Sequence, residues 1–159
     1  MLISVAADER TGIAEGLIAS LRSRGHEVLA HGALAGGEGE SRGEGVDSGE
    51  RTDWAWASEA AARDVANGRA EQAIVCCWTG TGASIAANKV RGVRAALCAD
   101  AASAAGARRW NDANVLALSL RATSQAELEE ILDAWFAGAA SREAGDRANV
   151  AHVGELEGA

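Results

Sequence analysis

Cys77 is the residue whose chemistry draws attention first. It closes the apolar run "QAIVCC" (72–77) and leads directly into "WTGTGAS" (78–84) and a helix-like stretch. Gly80 and Gly82 allow tightly turned backbone in which successive N–H groups point inward at the start of a helix, an arrangement that favours negative charge. The segment Gly80, Thr81, Gly82, Ala83 and Ser84 therefore reads as an anion cradle, for a bound phosphate or for an oxyanion born during reaction. A thiol beside such a cradle is expected to ionise readily, and could act as a base toward a proton alpha to a carbonyl or as a nucleophile. The competing reading is a buried cysteine that only fills space. For Cys76, which faces the other way on a strand, that second reading is the expectation.

The cradle is neither of two better-known loops. It lacks the lysine of a phosphate-binding GxxxxGK[ST] loop, and Ser84-Ile85 stands where a dinucleotide fingerprint needs its last glycine. Cys76, Cys77 and Cys98 are too few and too clustered for a disulfide framework. His26, His31 and His152 lie far from them in sequence, so no metal site is expected.

Parallel strands are needed to hold this centre. Five apolar runs, "LISVA" (2–6), "HEVLAH" (26–31), "QAIVCC" (72–77), "VRAALC" (93–98) and "NVLALSL" (114–120), are continuous rather than alternating, as strands covered on both faces are. Helical patterns separate them at 12–25, 53–68 and 101–109, and a further one follows at 123–138. Ile13, Leu17 and Leu21 share one helical face, and Leu128, Ile131, Leu132 and Trp135 share another. Right-handed βαβ units follow, in a three-layer αβα sandwich with a five-stranded parallel sheet. Residues 1–138 read as one α/β domain with a mobile glycine-rich loop at 35–52. Residues 139–159 read as a frayed tail or an arm that docks elsewhere, such as on a partner subunit.

Ligands of such sheets bind beyond the carboxyl ends of the strands. Asp8-Glu9, Cys77 with its loop, Cys98 and Asp100, and "WNDAN" (110–114) are expected to converge there. Trp78 and Trp110 are expected to flank the site, where indoles could stack on a sugar ring or pack a dimer interface. Trp54 and Trp56, two apart on a helix, cannot share a face, so at most one looks toward the site.

Composition limits the partners. A net charge of −8 on 159 residues excludes a phosphate-neutralising nucleic-acid surface. No apolar run is long enough to span a bilayer, and the start "MLISVAADER" is not signal-like, so a cytoplasmic protein with a small-molecule partner is expected.

"IVCCWTGTGASIAANKVRGVRAALCADAASA" and "RRWNDANVLALSLR" resemble the ribose-5-phosphate isomerase B family, which includes the galactose-6-phosphate isomerase subunits. The resemblance covers roughly residues 2 to 136. It implies a Rossmann-like sandwich, a homodimer or tetramer with active sites at the subunit interface, and cofactor-free, metal-free aldose–ketose isomerisation of a sugar phosphate through an enediolate. Cys77 then matches the base, and Thr79 a residue aiding ring opening or proton shuffling between oxygens. Residues 80–84 match the amide donors, Asn111 and Asp8 substrate-oxygen ligands, and Asp53 the acid of a "D-Y-P" segment. Three positions depart from the pattern. Glu9 and Trp110 stand where histidines are usual, and Trp78 where a glycine is. The arginines of the tail, Arg142 and Arg147, are candidates for the phosphate. Two other readings stay open: an isomerase of an unphosphorylated sugar, and a sugar-binding or regulatory homologue that has lost the chemistry.

Overall fold

The computed structural model describes residues 1–36 and 51–158. Five strands, β1 (Leu2–Ala7), β2 (Glu27–Gly32), β3 (Gln72–Cys77), β4 (Ala95–Leu97) and β5 (Val115–Ser119), form one parallel sheet in the order β2-β1-β3-β5-β4. Helices α1 (Ala14–Ser23), α2 (Trp54–Ala66), α3 (Thr81–Ala87), α4 (Ala101–Asn111), α5 (Gln125–Ala137) and α6 (Ala144–Leu156) accompany them among the described residues. The expected α/β sandwich is what the chain forms. The loop expected at 35–52 lies almost wholly outside the described residues.

Alternation along each strand sorts side chains onto two faces. Ile3, Val5, Ile74, Cys76, Leu116 and Leu118 meet Leu17, Leu21, Leu128, Ile131, Leu132 and Trp135, giving a core of large side chains. Ala6, Val75, Cys77 and Ala117 meet Ala57, Ala61, Ala83 and Ala87 on the opposite face. Small residues there let α2 and α3 approach the sheet closely. Cys76 is thus core on the leucine side, where burial pushes its thiol far up, while Cys77 faces α2 and α3.

Local signals set most element ends. Ser124 caps α5, with Glu127 returning a bond to the Ser124 amide, a capping box. Asp53 occupies the N-cap of α2 as its type suggests, yet its side chain makes no cap bond and pairs with Arg51 at 2.8 Å. β4 is shorter than its apolar run because it is the sheet edge, and Arg94 before it turns to the Asp112 carbonyl at 2.9 Å. Most of the stretch expected as a frayed tail or a docking arm forms α6 (Ala144–Leu156). None of its residues is buried, and Glu157, just beyond its end, accepts the Gly92 N–H with both oxygens at 2.9 Å.

Candidate active site

β1 and β2 lie on one side of the point where strand order reverses, and β3, β5 and β4 lie on the other. A crevice at the carboxyl ends of β1 and β3 is where such a sheet takes a ligand. Ala7 pairs with Cys76, so the next residues, Asp8 and Cys77, face each other across the two strand ends at about 5 Å of backbone spacing.

Cys77 is 5 % exposed. Its sulfur accepts the N–H of Ala83, in the first turn of α3, at 3.4 Å. Its carbonyl accepts from Gly80 at 3.1 Å and Leu120 at 3.0 Å, which fixes the strand end against the neighbouring β5. Gly80 turns the chain into α3 with φ of +76°, and a Cβ there would lie 2.9 Å from the Leu118 carbonyl carbon. Only glycine fits both demands.

The cradle is smaller than the sequence suggests. The Ser84 N–H is taken by the Gly80 carbonyl at 3.0 Å, and the Ala83 N–H by the Cys77 sulfur. The amides of Thr81 and Gly82 are the first-turn donors that helix geometry leaves without an intrahelical acceptor. Thr79 and Thr81 share a hydroxyl–hydroxyl bond at the loop's tip.

Asp8 has one carboxyl oxygen buried with no hydrogen-bond partner. Burial pushes its carboxyl above the ordinary value, and the charges of Glu9 and Asp53 push the same way. Acids thus gather at this end: Asp8 in the crevice, with Glu9 and Asp53 exposed beside it.

Among the two tryptophans of α2, Trp54 turns to the site. A Cβ on Gly82 would meet its indole at 2.9 Å. Trp56 instead lies under the Arg51 guanidinium, 3.6 Å from the ring centre. Trp78 is 53 % exposed beside the loop, its carbonyl held by Arg121 N–H at 3.1 Å and the Ser119 hydroxyl at 2.9 Å. A cavity of about 220 Å³ next to Thr79 is lined by Leu97, Cys98, Ser119, Arg121 and Thr123. Trp54 and Arg121 were not among the expected site residues. Spacing alone cannot choose between Trp54 and Trp56, and Arg121 is marked only by following the last strand.

Trp110, Asn111, Arg142 and Arg147 do not join Cys77 within one chain, contrary to expectation. Helix α4 starts at the carboxyl end of β4 and runs back down the sheet. Asn114, just after it, donates nothing to the loop at Cys77; its N–H bonds Arg94, at the opening of β4. In the β3–β5 register Ala73 pairs Val115 and Cys77 pairs Ser119, so the Trp110 segment belongs to the opposite edge, roughly 16 Å away along the strands. Two clefts flank α6 there. One of about 680 Å³ is lined by Val90, Val93, Trp110, Asn111, Val153 and Leu156. Another, of about 600 Å³, is lined by Arg109, Trp110, Ser141, Arg142 and Arg147.

Among the described residues no three His, Cys, Asp or Glu side chains are placed to hold a metal, and no helix is long and apolar enough to cross a membrane. Ser4, His31 and Asp64 do cluster, but both Ser4 (2.8 Å) and His31 (2.7 Å) bond the same Asp64 oxygen. No serine–histidine relay exists in that arrangement, so it is a clamp between β1, β2 and α2.

The family described as Ribose/Galactose Isomerase matches residues 3–153. Ribose-5-phosphate isomerase B of Escherichia coli is 41% identical over 110 residues, 69% of this chain and 72% of that protein. D-erythrulose-4-phosphate isomerase of Pectobacterium atrosepticum is 43% identical over 74 residues, 46% of this chain and 49% of that protein. The solved structure of Clostridium thermocellum ribose-5-phosphate isomerase B superposes with a TM-score of 0.82 and 31% identity, covering 99% of this chain and 98% of the other.

Proposed function

The chain belongs to the ribose/galactose isomerase family, and from that premise we propose that it interconverts an aldose phosphate and a ketose phosphate, with Cys77 as the base. The observation that carries this reading is the Cys77 sulfur, set at the carboxyl end of β3 with the Ala83 N–H on it and Asp8 across from it. A thiolate there removes the proton alpha to the substrate carbonyl. The cis-enediolate that results bears its charge on O1 and O2, toward the free first-turn amides of Thr81 and Gly82. Asp8, whose carboxyl is raised by burial, and the Thr79 hydroxyl move a proton between those two oxygens. Reprotonation at the neighbouring carbon by the Cys77 thiol completes the exchange, with no net redox change. Cofactor and metal take no part in this scheme.

Asp8, Glu9 and Asp53 make the carbonyl end of the site acidic, so the phosphate belongs at the other end, toward a cation. Arg121 beside the small cavity and the Arg109, Arg142 and Arg147 cleft supply candidates. The second set reaches Cys77 only from another copy. We therefore read the enzyme as a homodimer whose sites form where the Cys77 end of one subunit meets the Trp110 and Asn111 end of its neighbour. Exposed Trp78, Ile85 and Leu97 on one region, and Trp110, Val153 and Leu156 on the other, give the two surfaces apolar area to bury. The names of the relatives span four-, five- and six-carbon phosphates, which leaves the substrate's length to the site's own chemistry.

Exchange of the substrate's alpha hydrogen with solvent deuterium tests the assignment. Wild type should wash deuterium in during turnover, and Cys77→Ala should lose both exchange and isomerisation while its melting curve stays cooperative. Exchange that persists in Cys77→Ala removes the thiol from the reaction; a wild type that binds sugar phosphates and never exchanges is a binding protein.

A further inference from the structure

We infer that Trp110 makes the site selective for sugar phosphates that cannot close a ring, which points to a four-carbon substrate. The inference rests on the isomerase reading and on the two-copy site given above.

A furanose or pyranose has no carbonyl, so its alpha hydrogen is not acidic until the ring opens. Opening needs one proton delivered to the ring oxygen while the anomeric hydroxyl loses another, a task for an acid–base group on the ring-oxygen side. Cys77 and Asp8 face each other at adjacent strand ends, so both act at the carbons and oxygens of the carbonyl end. The second copy's edge presents Trp110 and Asn111. Of the carboxylates in the same clefts, Asp112 pairs with Arg94 and Arg108, and Glu157 holds the Gly92 N–H. Asp146 lines the cleft of Arg142 and Arg147, on the phosphate side. An indole N–H only donates a hydrogen bond, and a carboxamide does not exchange protons at neutral pH.

No histidine can stand in. All three of the chain are engaged elsewhere. His26 stacks on Phe136, ring centres 4.3 Å apart, just before β2. His31 is 3 % exposed, with its Nε2 2.7 Å from Asp64 under the sheet. His152 pairs with Glu155 on α6 and lines neither of the clefts beside that helix.

Trp110 itself is well placed to be a wall. Its ring lies against Gly106 one turn earlier on α4, where a Cβ would meet it at 2.7 Å. It is 55 % exposed and lines both clefts at once. A large apolar face therefore stands where a ring sugar would need a proton carrier. A four-carbon ketose, or a four-carbon aldose with phosphate on O4, has no hydroxyl spaced to form a five- or six-membered ring. Its carbonyl is present from the start.

The test compares an aldotetrose 4-phosphate with ribose 5-phosphate in one coupled assay of the purified full chain. kcat/KM should favour the tetrose phosphate by about 100-fold, the scale of a missing acid–base group. Wild-type progress curves on ribose 5-phosphate should show a small fast phase that consumes the open-chain fraction. A slow phase should follow, with a rate independent of enzyme concentration because spontaneous ring opening limits it. Trp110→His should shift the ratio of the two kcat/KM values toward ribose 5-phosphate by about tenfold or more. A slow phase that scales with enzyme, or comparable kcat/KM values for both substrates, overturns the inference and leaves the isomerase intact. An unchanged ratio in folded Trp110→His removes Trp110 from the selection. Turnover of neither substrate counts against the isomerase reading instead. The progress-curve arm needs no variant and stands even if Trp110→His fails to fold.

Discussion

The two ends of this sheet are built in different ways. At the carboxyl end, Cys77 is nearly buried, and its sulfur, its carbonyl and the loop after it are all held by specific hydrogen bonds. At the opposite edge, Trp110, Val153 and Leu156 stand half exposed around clefts of about 680 and 600 Å³, and α6 buries none of its own residues. One end carries the Cys77 thiol with the Asp8 carboxyl group across from it. The other carries Asn111 and the arginines Arg109, Arg142 and Arg147, with Asp112 and Asp146 beside them and no cysteine. On the proposed dimer reading each end holds what the other lacks, and a second copy in a twofold arrangement would join them.

The largest effect that could break this comparison comes from subunit mixing. Cys77→Ala and Asn111→Ala should each be inactive or nearly so, down by a factor of about 10² or more. Unfolding and refolding them together in equal amounts should restore about a quarter of wild-type activity. Half of the dimers are then mixed, and each mixed dimer has one intact site. If each site were contained in one subunit, the mixture would stay as inactive as its parts.

Much of the first end was legible in the sequence. "QAIVCC" followed by "WTGTGAS" marks a strand that ends in a turn and a helix start, and both the buried role of Cys76 and the facing of Cys77 follow from strand alternation. The second end was misplaced for a topological reason. "WNDAN" was expected near the ligand because it precedes a strand. In a parallel sheet, a segment that precedes a strand lies at the amino edge, and the 11 residues of α4 carry the chain about 16 Å back to it. Helix α6 escaped notice because Gly145 and Gly154 dilute its pattern and its apolar residues, Val150, Val153 and Leu156, serve no core of their own chain. The contact of Trp54 with Gly82 joins two segments far apart in sequence, so no local periodicity could announce it.

A middle-sized effect tests why the first end is rigid. Asp64 lies near the last turn of the helix whose first residue is Trp54, and it ties α2 to Ser4 of β1 and His31 of β2. Burial alone would push this carboxyl up, but the hydrogen bonds from His31 and Ser4 outweigh it and hold it below the ordinary value. A carboxylate lowered on folding adds stability that is present above its unfolded pKa, about 3.9, and lost as pH falls through the folded value. Asp64→Ala should lower stability at pH 7 by about 3 kcal/mol, roughly 10 °C in Tm, because it leaves buried His31 and Ser4 without their acceptor. Thermal melts from pH 3 to 7 should show the wild type losing part of its advantage over the variant at the acid end. An unchanged Tm would mean that α2 is placed by its alanine packing alone.

The smallest effect addresses the second end. Glu157 grips the Gly92 N–H with both carboxylate oxygens, and this contact pins the end of α6 beside the cleft that Trp110 lines. The pair is at the surface, so Glu157→Ala should cost the folded chain less than about 1 kcal/mol. Its consequence for assembly should be larger than for folding, because α6 frays from an end that no buried side chain secures. Sedimentation over a dilution series should show the variant dissociating to monomer at higher concentration than wild type, with melts nearly superimposed. Equal dissociation of both proteins would place α6 outside the subunit contact, and Arg142 and Arg147 would then have no route to the neighbouring Cys77.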